Sequence, residues 1–214
     1  MTTRLYLVRH GATVSSAEDS FNGETDIALS EAGRDQARAL GRRLAGERID
    51  AFYSSPLSRA MDTARLVASP HGKEVTAVPA IREVSHGRWE GKRRAEVASQ
   101  YPEEYRRWEA DPWSFAPEEG ETGLAVTARA LPALLEIVEA HPGETVLAVS
   151  HKATIRLLVA ALVGFDPRRY RDRLEAKPAG LTALDFRETS GPRLAFFNDT
   201  SHLTETPGAG SPKP

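Results

Sequence analysis

Leu5-Tyr6-Leu7-Val8-Arg9-His10-Gly11 changes character midway: an apolar run gives way to an arginine, a histidine and a glycine. Apolar residues in a short run, bounded by polar ones, read as a buried strand, with glycine marking the turn that follows. Further on, Ser30 precedes a segment with Ala37, Leu40 and Leu44 at helical spacing, which predicts a capped amphipathic helix. The same alternation continues along the chain. Strands are predicted from Leu5 to Val8, Ala51 to Tyr53, Val75 to Val78, Val146 to Val149, Leu181 to Phe186 and Leu194 to Phe197. Glu188 to Pro192 reads as the turn of a closing hairpin. The pattern predicts an α/β domain with a mixed, mostly parallel sheet.

The helices carry their own punctuation. Ser55-Pro56 reads as a cap followed by proline at the first helical position. A long helix starts near Thr122, places Leu131, Leu134, Leu135 and Val138 on one face, and stops at Pro142-Gly143; Pro132 inside it predicts a kink. Another follows His151, with Ile155, Leu158, Val159 and Leu162 as its stripe and Gly164 as its stop.

With 214 residues the chain can build one sizeable core. The net charge of −2, from 28 basic and 30 acidic residues, lacks the basic excess of a general nucleic-acid binder. There is no cysteine, which excludes disulfides and thiolate chemistry. No apolar run is long enough to span a bilayer and no leader is expected, so the reading is cytoplasmic. The domain is expected over residues 1–203. Residues 92–122, charged and punctuated by proline and tryptophan, read either as a lid over a site or as a surface excursion. Residues 204–214 read as a loose tail.

Ligands bind at the carboxyl ends of strands in a wound α/β sheet. The first strand delivers Arg9 and His10, the second Ser54, Ser55 and then Arg59. The third is followed by Glu83 and His86, and the fourth delivers His151 and Lys152. Singly, each has an ordinary structural reading. Jointly, two histidines and two arginines on adjacent loops invite a dianion. Arg59 in a first helical turn opposes the helix dipole unless an anion joins it. Guanidinium groups match phosphoryl oxygens two at a time. A neutral imidazole among them is a competent nucleophile, kept neutral by the neighbouring positive charge. Glu83 is the acid placed to protonate a leaving oxygen, its proton affinity raised by the phosphate beside it.

Leu7 to Thr13 resembles the Arg-His-Gly signature of the histidine phosphatase superfamily, which includes the cofactor-dependent phosphoglycerate mutases. The resemblance continues in order through Phe21 to Asp26, Leu29 to Gly33, Ser54 to Ala60, Arg82 to Gly91, Val149 to His151 and Phe197 to Leu203. It implies a phosphoglycerate mutase-like single domain with helices on both sheet faces, no cofactor and no metal. His10 would be the phosphorylated residue, Arg9, Arg59 and His151 its phosphate pocket, and Glu83 the proton donor. Gly11, Thr13 and Ser16 would lie around the nucleophile, and Asn22 and Gly23 would form the loop approaching the phosphate. His86 either orients Glu83 or faces substrate.

Two departures favour hydrolysis over mutase activity. Ser16 stands where the mutases carry asparagine, and Gly120-Glu121-Thr122 resembles a Gly-Glu-Ser motif of the phosphatases. A third is Lys152 in place of glycine; it either adds charge for a second acidic group of the substrate or points to solvent. The expected activity is a metal-independent phosphomonoester hydrolase acting on a small phosphorylated metabolite, as a monomer or homodimer without nucleic-acid or membrane partners. Its rivals are a phosphoglycerate mutase, a metal-dependent hydrolase using His10, His86, His151 and Glu83, and a non-catalytic phospho-ligand binder. Lys92-Arg93-Arg94 either helps bind an anionic substrate or starts a solvated helix. Arg168, Arg169, Arg171 and Arg173 read as a solvated, ion-paired surface.

Overall fold

A computed structural model describes residues 1–15, 19–188 and 190–203. The expected tail, 204–214, and Ser16 lie outside the described residues. Six strands form one sheet: β1 (Thr2–Arg9), β2 (Ala51–Ser54), β3 (Val75–Ala77), β4 (Thr145–Ser150), β5 (Leu181–Arg187) and β6 (Gly191–Asp199). Their order is β3-β2-β4-β1-β5-β6. β1, β2, β3 and β4 run parallel, whereas β5 pairs antiparallel with β1 and with β6. The predicted mixed sheet and closing hairpin are both present, and the hairpin turn is shorter than expected because β6 already begins at Gly191.

Alternation along the central strands divides the core. Leu5 and Leu7 pack on one face with Val146 and Ala148, under α5 (Gly123–Glu139) and α6 (Lys152–Val163). Tyr6 and Val8 pack on the other with Leu147 and Val149, under α1 (Glu31–Leu44) and α2 (Ser58–Ala68). Both faces of β1 and β4 are thus covered, which is why these strands read as continuous apolar runs. The stripe of α1 buries Leu40 and Leu44 completely, each contributing roughly 2 kcal/mol of transfer free energy.

Ser30 caps α1 as expected, accepting a hydrogen bond from the Gly33 amide at 3.1 Å. Thr122 caps α5 through the Ala125 amide at 3.1 Å, and Gly164 ends α6 in the left-handed conformation. α5 continues through Pro132 to Glu139. The expected start of α2 is corrected. It begins at Ser58 rather than at Pro56, and its first amide donates to Asp26 Oδ1 at 2.8 Å instead of being capped by Ser55.

The segment 92–122 folds into two short helices, α3 (Arg94–Gln100) and α4 (Pro102–Ala110). They have their own aromatic core of Phe21, Trp89, Val97 and Trp108. Phe21 comes from the loop after β1, and its amide donates to the Lys92 carbonyl at 2.9 Å. The segment is therefore docked onto the loop that begins with His10. α7 (Tyr170–Arg173) completes the α-helices among the described residues.

Candidate active site

Strand register brings the site together. Arg9 on β1 is paired with Ser150 on β4, and Ser54 on β2 with Val149. The next residues along these parallel strands, His10, His151 and Ser55, therefore emerge side by side at the carboxyl edge. The rings of His10 and His151 lie 5.1 Å apart, centroid to centroid. His151 Nε2 and Ser55 Oγ share a hydrogen bond of 2.7 Å. The serine expected to cap a helix instead fixes the orientation of this second histidine.

His10 Nδ1 lies 2.7 Å from the Gly11 carbonyl oxygen, so it carries the proton and donates. Nε2 is then the nitrogen with a lone pair. Burial, reinforced by the charges of Arg9 and Arg59, holds the His10 imidazole well below the ordinary histidine pKa. Burial, followed by the proximity of His10 and the charges of Arg59 and Arg9, does the same to His151. His151 Nδ1 is buried with no hydrogen-bond partner. A buried, unsatisfied nitrogen beside a neutral imidazole is a position where a ligand oxygen would satisfy it.

The arginines are held from behind. Arg59, only 3% exposed, donates to the Thr25 carbonyl at 2.7 Å and the Gly23 carbonyl at 2.6 Å. Arg9 donates through one terminal nitrogen to the Ala176 carbonyl at 2.7 Å, and its Nε is buried without a partner. Burial pushes the Arg9 guanidinium down to about 10, against the opposing effect of Glu83. Glu83 docks on the start of α6. Its Oε1 accepts from the Val84 and Thr154 amides at 3.0 and 3.2 Å and from the Thr154 hydroxyl at 3.1 Å. Its Oε2 accepts only from the Ala153 amide, at 3.1 Å. The carboxylate thus satisfies helix amides that nothing within α6 can, and Oε2 retains capacity for another partner.

These groups line a cavity of about 360 Å³. Of the residues singled out in the sequence, Arg9, His10, Thr13, Asn22, Gly23, Arg59, Glu83, His86 and Lys152 border it. His151 lies beside His10 with no solvent exposure. Gly11 does not line the cavity. Its amide donates to Thr63 Oγ1 at 3.0 Å, and a Cβ there would run into the Gly33 backbone, so close packing rather than ligand contact requires glycine. Gly23 is confined likewise against the Val84 carbonyl. Asn22 Nδ2 donates to Ser20 Oγ at 2.7 Å and shapes the loop. The His86 ring packs against Phe21 and Trp108, at 4.8 and 5.9 Å. Among the described residues no three histidine or acidic side chains gather as a metal site, so the four proposed ligands of the metal-dependent rival do not form one.

Sequence reasoning passed over three wall residues, Trp108, Arg156 and Tyr170. Arg94, for which the sequence left open an anion contact or a solvated helix start, and Arg171 line the cavity too. The solvated reading of Arg171 is corrected: its guanidinium stacks over Trp108 at 4.0 Å and pairs with Glu109 at 2.8 Å. Local charge alternation around 166–175 concealed this, because Trp108 arrives from a distant segment. Arg129 was also missed. It donates to the carbonyls of Ala80, Arg82 and Glu83 at 2.6, 3.1 and 2.9 Å, and forms a two-pronged pair with Glu121. The Gly120-Glu121-Thr122 motif therefore braces the Glu83 loop from outside the cavity.

The family model described as histidine phosphatase superfamily (branch 1) matches residues 5–200. Phosphoserine phosphatase 1 of Hydrogenobacter thermophilus is 36% identical over 78% of this chain and 79% of its own. A bifunctional protein of Mycobacterium tuberculosis is 35% identical over 94% of this chain, which spans only 55% of that longer relative. Among solved structures, YhfR of Bacillus stearothermophilus superposes with a TM-score of 0.89 at 32% identity, covering 94% of this chain and 100% of that one. A mycobacterial glucosyl-3-phosphoglycerate phosphatase in complex with VO3 superposes with a TM-score of 0.82 at 30% identity, covering 91% and 98%. No helix among the described residues is long and apolar enough to cross a membrane.

Proposed function

The chain belongs to the histidine phosphatase superfamily, and on that premise we propose that it hydrolyses small phosphorylated metabolites through a phosphohistidine formed on His10. The observation carrying the residue assignment is the His10 Nδ1 contact with the Gly11 carbonyl, which leaves Nε2 unprotonated in a cavity walled by guanidinium groups. In the first step Nε2 attacks phosphorus and the bond from phosphorus to the ester oxygen breaks. Arg9, Arg59 and the unpartnered Nδ1 of His151 stabilise the charge on the transferring group. Glu83 gives its proton to the departing oxygen, and the alcohol leaves. In the second step water loses a proton to Glu83 and attacks phosphorus. The N–P bond breaks, and inorganic phosphate and the free imidazole result.

Support for hydrolysis, rather than return of the phosphoryl group to an acceptor, comes from relatives named as phosphatases of phosphoserine and glucosyl-3-phosphoglycerate. The test is acid-free quenching of the enzyme during turnover of a ³²P-labelled phosphomonoester with chelator present. Label is expected on His10 and absent from His10→Ala, which also loses turnover. Label elsewhere, or an active alanine variant, refutes the assignment. A coupled assay for interconversion of 2- and 3-phosphoglycerate separates the mutase, for which no interconversion is expected.

A further inference from the structure

The cavity holds more positive charge than one phosphoryl group requires. Among the described residues its walls carry Arg9, Arg59, Arg94, Lys152, Arg156 and Arg171, against the acids Asp19 and Glu83. Most of these cations are accounted for. Arg9 and Arg59 flank His10 and are tied to backbone carbonyls. Arg94 pairs with Asp19 at 2.8 Å and Glu109 at 3.3 Å, and Arg171 pairs with Glu109. Lys152 and Arg156 remain. Neither has a carboxylate within 4.0 Å among the described residues, and Arg156 Nε is buried with no hydrogen-bond partner.

Their placement opposes intrinsic stability. The two lie one helical turn apart on α6 and both reach the cavity, so like charges face each other at i and i+4. Lys152 is also the first residue of α6, where the helix dipole disfavours a cation. Burial lowers the proton affinity of both, with the mutual repulsion of Lys152 and Arg156 adding to it on the lysine. Next to them, Tyr170 is 5% exposed and lines the same wall. Burial pushes its phenol up to about 12, so it stays a neutral hydrogen-bond donor. Two unneutralised cations and a phenolic donor in one wall are complementary to an anion.

We propose that Lys152, Arg156 and Tyr170 form a second anion pocket beside the phosphoryl site, so that the preferred substrates are phosphomonoesters bearing a further anionic group, a carboxylate or a second phosphate. This rests on the phosphatase reading above and narrows its substrate class. The phosphoryl group to be transferred sits against His10, and the further anion sits across the cavity on the α6 and α7 wall.

The test uses the full chain and two matched pairs of substrates at fixed ionic strength: 3-phosphoglycerate against glycerol 3-phosphate, and fructose 1,6-bisphosphate against fructose 6-phosphate. The acidic member of at least one pair is expected to show a kcat/KM about tenfold higher or more, as for a new charge-assisted contact. The pair that shows it identifies the anion as carboxylate or phosphate. Arg156→Gln and Lys152→Met should each shrink that preference roughly fivefold or more, mainly through KM, with Arg156→Lys keeping part of it. Turnover of p-nitrophenyl phosphate, with His10→Ala as blank, reports the phosphatase reading separately. Wild type that turns over this ester but shows no preference within either pair overturns the second pocket and leaves the phosphatase standing. A preference that survives both substitutions overturns it as well. Failure to turn over any ester would remove both.

Discussion

A proton on His10 would have to share a buried space with the Arg9 and Arg59 guanidinium groups, and this has a consequence for stability as well as for nucleophilicity. Burial first, then those two charges, holds the folded-state pKa of His10 well below 6.5, and His151 is depressed for similar reasons. Below about pH 6.5 the unfolded chain takes up a proton at each of these histidines while the folded protein does not. Unfolding free energy therefore falls as pH drops from 6.5 towards the folded pKa values, by up to about 1.4 kcal/mol per pH unit for each histidine. Above that window neither contributes. His10→Asn removes one of the two, so its Tm should decline less steeply than wild type between pH 7 and pH 5; parallel slopes would contradict a neutral, buried His10. Glu83 supplies the second prediction at this scale. With one oxygen committed to Val84 and Thr154 and the other bonded only to the Ala153 amide, Glu83→Gln keeps the side chain's shape, gives up the Ala153 bond because an amide NH2 cannot accept it, and loses the proton. The kcat for alkyl phosphates should fall on the order of 10²–10⁴-fold, and that for p-nitrophenyl phosphate far less. Equal losses on both would count against an acid.

Two elements act as braces for these residues, and each can be tested apart from the chemistry. The first turn of α1 is pressed against the loop after β1: the Ser30 amide and hydroxyl both donate to the Ala12 carbonyl, at 3.0 and 3.1 Å, and a Cβ on Gly33 would collide with that same carbonyl. Gly33→Ala must push the His10–Ala12 loop away, so kcat should drop at least about tenfold, whereas Ser30→Ala should cost about 1 kcal/mol of stability in urea with a smaller effect on kcat. The opposite ranking of the two would show that the contact is not what positions the loop. The second brace is Arg129 on α5, which ties three carbonyls of the Ala80–Glu83 stretch to Glu121. Arg129→Met frees three carbonyls of the Ala80–Glu83 stretch and leaves Glu121 with Arg82 and the Ser85 amide as its remaining partners. A loss of roughly 1–2 kcal/mol is expected in chemical denaturation, together with a fall in kcat larger than any change in KM. The helices that provide these braces were legible because apolar spacing and caps are local signals. The bracing itself was not, since Arg129 meets carbonyls 46 to 49 residues away along the chain.

At the scale of the molecule, an overall charge of −2 conceals a cavity in which, among the described residues, six cations face two acids. The strand-end residues of this cavity were legible, because a parallel sheet delivers consecutive carboxyl ends to one rim and the residues after β1, β2 and β4 could be read directly from the chain. The far wall was not: Arg156 and Tyr170 lie on and after a helix whose visible signal was its apolar stripe, and Trp108 enters through a docked segment whose position only tertiary contacts define. Ser55 shows the same limit in reverse, a good local cap whose hydroxyl is used by His151 instead. The charge asymmetry predicts how the whole protein meets its substrate. Like-signed charges around one concavity focus a positive potential there, raising the encounter rate for anions even when the net charge is slightly negative. Mobile ions screen that field beyond about 8–10 Å near physiological salt but act weakly on groups already in contact. Raising sodium chloride from about 20 to 200 mM should therefore lower kcat/KM for a phosphomonoester roughly three- to tenfold while kcat changes little. Arg156→Gln should flatten that dependence, having removed one of the uncompensated charges. A kcat/KM independent of salt, or a salt effect carried by kcat, would mean that the cations are neutralised before the substrate arrives.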